Sequence, residues 1–153
     1  GTVVVNNKEV DLFENKEKWD GYVSYFSSDA ILYRDSLLNN MTLNKEYSQE
    51  LIQDLLEMLN LKSWILGLPN GLETQVDELK LTMSDGQKQK IVLARYLLNC
   101  KTVMLLDEIE KHIDDKTKRN IMKYLQKIKQ KKIIIVTTHD ETILSYCDDN
   151  FCI

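Results

Sequence analysis

Three short stretches carry residues able to do chemistry. In LTMSDGQKQKIVLARYLL, Leu81 to Leu98, Ser84 is followed three residues later by Gln87. That spacing is a capping box, in which the serine hydroxyl takes the amide of the third helical residue and the glutamine reaches back to the serine amide. A helix therefore starts at Ser84. Its first amides have no internal partner and its dipole is positive at that end, so this tip, with the Ser84 hydroxyl, can receive a phosphate oxygen. Gly86 would let a ligand come close to the backbone. Any helix needs a cap, however, and the box by itself specifies a start and no ligand.

The second stretch, VMLLDE, ends an apolar run in two adjacent carboxylates, Asp107 and Glu108. At the carboxyl edge of an open α/β sheet, an aspartate can hold Mg²⁺ through water while the neighbouring glutamate orients and deprotonates an attacking water. Two solvated acids leaving a strand is the plain alternative. The third, IIIVTTHD, reaches His139, whose ring nitrogen suits a terminal phosphate or a water bound to it. A structural histidine is the plain alternative there.

These residues need elements to position them. TVVVNN and GYVSYFS are β-branched and aromatic runs that predict short strands. Leu51, Ile52, Leu55, Leu56 and Leu59 recur at helical spacing and predict one buried stripe from Ser48 to Leu59. LPNG, Leu68 to Gly71, predicts a turn. TVMLLDE and KIIIVTT predict buried strands, and DDKTKRNIMKYLQKIKQ between them an amphipathic helix. Apolar runs without polar alternation, separated by helices, imply a parallel sheet covered on both faces. The chain is α/β with a helical insertion in its middle.

Composition bounds the function. A length of 153 residues with 43% apolar content implies one globular domain with a real core. A single proline and five glycines argue against a turn-rich all-β protein. The net charge of −4 is no footprint for nucleic acid, which needs clustered positive charge. Cys100, Cys147 and Cys152 follow no metal spacing and read as thiols of a reducing compartment. No apolar run is long enough to cross a bilayer, and no basic-then-apolar leader opens the sequence.

In order and spacing these motifs resemble the ATP-binding domain of ABC transporters, particularly the exporter type. MSDGQKQK resembles the signature, VMLLDE the Walker B strand with its catalytic glutamate, and His139 falls at the switch histidine. Asp114 in IEKHID matches the D-loop aspartate. LPNGLETQVDE, with Glu78, resembles the exporter segment that contacts the membrane domain, and YFSSDAILYRDSLLNNMTL the Q-loop and the start of the helical subdomain. The resemblance runs from about Thr2 to Ile153.

The resemblance implies a partial P-loop NTPase (RecA-like) parallel sheet with a helical subdomain carrying the ABC signature. Residues 1–33 and 101–153 would belong to the catalytic core, and 34–100 would form the helical subdomain with the signature helix. It implies ATP and Mg²⁺ as cofactors, Glu108 and His139 as catalytic residues, and Asp107 with the Q-loop position Ser28 at the metal. Ser84, Asp85, Gly86, Gln87 and Asp114 would bind nucleotide. The implied partners are a second ABC ATPase domain, in a head-to-tail dimer, and a membrane-spanning transporter domain. The implied location is the cytoplasmic face of the cell membrane.

The sequence departs from the pattern at several points. Ser28 replaces the Q-loop glutamine and Asp85 the first signature glycine; Leu79 and Lys80 stand where arginine and glycine are usual. Asp85 suits the helix dipole by about 0.3–1 kcal/mol but places negative charge beside a phosphate. No G-x-x-x-x-G-K-[ST] occurs, and no glycine is followed by lysine. The expectation is a C-terminal portion of an ABC ATPase, inactive by itself, with a gap in the sheet between KIIIVTT and a last strand at NFCI or a strand recruited there. Two other classes are weighed. Chromosome-maintenance ATPases share the motifs, but they place a long coiled coil where Ser28 to Ser84 leaves room only for a small subdomain. A degenerate or truncated regulatory subunit pairing with a complete ABC ATPase is the other.

Overall fold

A computed structural model describes residues 2–5, 8–11, 21–29 and 31–151. In chain order the strands and α-helices are β1 (Thr2–Val5), β2 (Lys8–Asp11), β3 (Val23–Ser27), α1 (Leu37–Thr42), α2 (Gln49–Met58), α3 (Lys62–Leu66), α4 (Asp85–Leu98), β4 (Val103–Asp107), α5 (Asp115–Ile128), β5 (Ile133–Thr137) and α6 (Glu141–Leu144). Each longer helix begins where a side chain satisfies a free amide. Ser48 accepts from Leu51 N–H at the start of α2, Ser84 from Gln87 N–H at α4, and Asp114 from Thr117 N–H at α5. The expected stripe of α2 buries Ile52, Leu55 and Leu56, with Leu59 following; Leu51 lies exposed.

β1 and β2 pair antiparallel. A separate parallel sheet runs β3-β4-β5, with Tyr25, Leu105 and Ile135 in one register row and Ser27, Asp107 and Thr137 in the last. Alternation along the strands puts Phe26, Met104 and Leu106 on one face, where they are buried, with Ile134 and Val136 half-buried beside them. Phe26 meets Tyr96 of α4 edge to face at 5.7 Å between ring centroids. Ile121, Met122 and Leu125 of α5 join the same core.

Among the described residues the opposite face is open. Tyr25 is 61%, Ile133 59% and Ile135 52% exposed. The expectation of a sheet covered on both faces therefore fails among the described residues, and β5 is half-exposed where a buried strand was expected. The reason is that every sheet residue in the core belongs to the face of Phe26, so the helices reach the sheet from that side only. The outer edge of β5 has no neighbouring strand among the described residues. Asn150 and Phe151 of NFCI are not in a strand, and Cys152 and Ile153 lie outside the described residues.

The segment after β3 is fastened to α4 by Arg95. Its guanidinium donates to Asn40 O at 2.7 Å, to Asn40 Oδ1 at 2.8 Å and to Ile31 O at 2.9 Å, and lies 4.5 Å over the Tyr33 ring. The buried Asn40 side chain in turn takes Tyr33 N–H and donates to Tyr33 O. One planar cation with several donors thus fixes a loop that has no regular structure of its own.

Candidate functional site

Asp107 is the last residue of β4 and points to the open face, between Ser27 and Thr137 in register. The Thr137 hydroxyl donates to its Oδ1, and the Tyr25 hydroxyl donates to Oδ2 at 2.8 Å. Those two bonds, Thr137's first, hold the Asp107 carboxyl below the usual carboxylate range. The same bond pushes the Tyr25 phenol up. Tyr25 and Thr137 were missed from sequence; their positions on Asp107's face, fixed by strand register, are the signal that finds them.

Glu108 follows with φ of 48°, in the left-handed region, and its N–H donates to Thr137 O at 3.1 Å. A non-glycine residue held there stores strain, a feature that gathers at functional sites. The Lys111 ammonium lies 4.0 Å from Glu108 Oε2 and 3.7 Å from Asp29 Oδ1. Ser28 occupies the turn just after β3, at the same edge. His139 comes two residues after Thr137, with its side chain exposed and its N–H donated to Glu110 Oε1 at 3.2 Å. Asp107, Glu108, His139 and Ser28 are thus brought to one carboxyl edge, as a parallel sheet requires of residues that end its strands.

The start of α4 adjoins that edge because α4 precedes a strand of the same sheet. The capping box is complete: Gln87 N–H donates to Ser84 Oγ at 3.1 Å and Ser84 N–H to Gln87 Oε1 at 2.9 Å. Ser84 and Asp85 are exposed, Gly86 and Gln87 half-buried. A Cβ on Gly86 would stand 2.7 Å from the carbonyl oxygen of His112. The backbone of the turn after β4 thus already requires a residue without a side chain here, on the side a Cβ would take.

Asp114 does more inside the chain than the nucleotide-binding expectation foresaw. Its Oδ1 accepts from Thr117 N–H at 2.9 Å, and its Oδ2 from the Thr117 hydroxyl at 2.8 Å and from Lys90 Nζ at 2.6 Å. Lys90 is buried beside it. Burial alone would raise the Asp114 pKa, but the bonds from Lys90 and Thr117 outweigh it and hold the carboxyl well below its ordinary value. A depressed carboxyl contributes stability above its unfolded pKa, about 3.9, that is lost as pH falls toward the folded value. Asp114→Asn keeps a competent cap but breaks the ion pair. It should lower the melting temperature at pH 7, and that difference should shrink as the pH is taken below about 4 in paired thermal melts. A difference that does not change with pH would refute the ion-pair account.

Among the described residues no group of three or more His, Cys, Asp or Glu side chains could hold a metal unaided. Asp107 instead offers one anionic carboxylate at an exposed edge. One carboxylate completed by phosphates and water is how Mg²⁺ is commonly held, so the residues present fit a metal that arrives with a nucleotide.

Comparison with known proteins identifies the family. The family model described as ABC transporter matches residues 1–111. The multidrug resistance-like ATP-binding protein MdlA of Buchnera aphidicola subsp. Schizaphis graminum is 33% identical over 152 residues, covering 97% of this chain and 26% of that protein. The ATP-dependent lipid A-core flippase of Photorhabdus laumondii is 31% identical over 131 residues, 84% of this chain and 22% of that protein. The chain therefore spans about a quarter of the length of the curated relatives it matches. A bacterial Atm1-family ABC exporter solved with ATP bound shares the fold, with a TM-score of 0.73 at 21% identity over 85% of this chain and 23% of that one. With a partial P-loop NTPase fold and motif residues gathered at one edge of its sheet, the chain belongs to the ABC transporter family, as part of an exporter-type ATP-binding domain.

Proposed function

We propose that these residues form part of the ATP-hydrolysing engine of an exporter, in which hydrolysis drives transport across a membrane. The observation that carries this reading is the meeting, at one sheet edge, of Glu108 in a left-handed turn, the hydroxyl-bonded Asp107 and the exposed His139. Asp107 and, with a shorter reach, the Ser28 hydroxyl would hold Mg²⁺, which supplies charge neutralisation across the phosphates. Glu108 orients a water in line with the terminal phosphorus and takes its proton, while His139 donates to the transferring phosphoryl group. On the neighbouring tip, Ser84 presents its hydroxyl, Gly86 its backbone amide and Gln87 its side-chain amide to the phosphates of a nucleotide held by a second ATPase domain. Asp114 steadies that tip through Lys90. Residues 34–100 serve as the helical subdomain, and 1–33 with 101–153 as the core.

The second domain, in a head-to-tail dimer, and a membrane-spanning domain are the partners this reading needs. Among the described residues no helix is long and apolar enough to cross a membrane. The place of work is the cytoplasmic face of that membrane. No phosphate-loop motif lies within the 153 residues, so they do not suffice for tight ATP binding or turnover. Calorimetry on the 153-residue chain should show no saturable ATP binding in the micromolar range. Saturable binding that vanishes in Asp107→Ala would overturn the claim.

A second reading, a regulatory subunit that pairs with a complete ATPase, is favoured by the exposed Asp85 at the tip. It requires that the pair form and that its turnover be indifferent to Glu108→Gln in this chain.

A further inference from the structure

We propose that Glu110 is the positioning residue for His139. Nothing in the functional reading above uses Glu110, yet its carboxylate bridges the turn after β4 to the loop after β5. Oε1 accepts from the Thr138 hydroxyl at 2.5 Å and from the His139 N–H at 3.2 Å. Oε2 is buried with no hydrogen-bond partner among the described residues. A carboxylate oxygen left so is uncommon in a folded protein, and its retention points to what the other oxygen holds. The loop is held from its far side as well. Thr138 Oγ1 accepts from Asp140 N–H at 3.0 Å, and the Asp140 carboxylate is 2.7 Å from Lys118 Nζ on α5. Lys118 and Asp140 are each less than one-fifth exposed.

The backbone at His139 is therefore clamped while its imidazole faces solvent. That combination suits a side chain that must meet a phosphoryl group at fixed distance, since small misplacements of a reacting group cost large factors in rate. Glu110 lies two residues after Glu108, so the same short turn sets both the base and, through Oε1, the histidine.

The inference rests on the functional reading above, and the test keeps the two apart. Turnover is measured on the ATP-hydrolysing assembly, with Glu108→Gln as the reference for that reading. Glu110→Ala should lower kcat roughly tenfold to a hundredfold with KM for ATP little changed. Glu110→Gln keeps an acceptor oxygen and should restore most of the rate. Thr138→Val, which leaves Glu110 in place, should show part of the loss. Because Glu110 acts through His139, Glu110→Ala combined with His139→Ala should be no slower than His139→Ala alone. Additive losses in that pair, or a Glu110→Ala variant that melts earlier but turns over normally, would overturn the assignment.

Hydrogen exchange at the His139 amide reads the contact without turnover: faster in Glu110→Ala and near normal in Glu110→Gln is the expected result. Unchanged exchange in Glu110→Ala refutes the positioning role whatever the assembly hydrolyses. Full turnover in Glu108→Gln would instead refute the functional reading and leave exchange to decide the role of Glu110.

Discussion

Glu108→Gln should lower kcat for ATP by roughly two to four orders of magnitude, the usual contribution of a positioned general base, while nucleotide affinity stays close to that of the unaltered protein. Glutamine has the same length and shape and tolerates the same backbone, so the left-handed turn at φ of 48° and the bond from this residue's N–H to Thr137 O are retained. What disappears is the basic oxygen that takes a proton from water. Asp107 keeps its two hydroxyl donors, so the metal position is untouched. The measurement is steady-state turnover and equilibrium nucleotide binding on the hydrolysing assembly. Loss of binding along with turnover would mean that Glu108 serves the ground state; turnover unchanged would remove it from the chemistry altogether.

Gly86→Ala should be damaging twice over. The added methyl would begin 2.7 Å from a backbone oxygen, that of His112, and backbone cannot rotate aside as a long side chain can. His112 itself sits at φ of 59°, so the turn has little room to relax. Either the tip of α4 or the turn after β4 must shift, at a cost of about 1–3 kcal/mol for forced overpacking. The turn begins at Glu108, and hence a shift on that side also misplaces the base. Urea unfolding should report the lost stability and turnover the lost alignment. A variant as stable as the parent would show that the close approach is not a constraint in solution.

Local chemistry in the chain foretold a good deal of this. The Ser84–Gln87 box placed the cap of α4 at Ser84, because capping depends on residues three apart and on little else. The carboxylates and the histidine were found because a parallel strand must deliver the residues after its end to one edge. Position in space was harder. The run IIIV of β5 looks the same whether one face is covered or two, and here Ile133 and Ile135 face outward. Lys90 and Asp114 stand 24 residues apart in sequence, with nothing in either neighbourhood to announce the other. Nothing near Gly86 in the sequence announces that the carbonyl of His112 packs against it.

The bare side of the sheet bears on how the molecule is made. α4, β4, α5 and β5 follow one another along the chain, so the layer they build can assemble from near neighbours soon after synthesis. Among the described residues, the side bearing Tyr25, Ile133 and Ile135 has no such cover. Apolar side chains left in water there gain from whatever further atoms come to cover them, so that side is where added protein surface would contribute most.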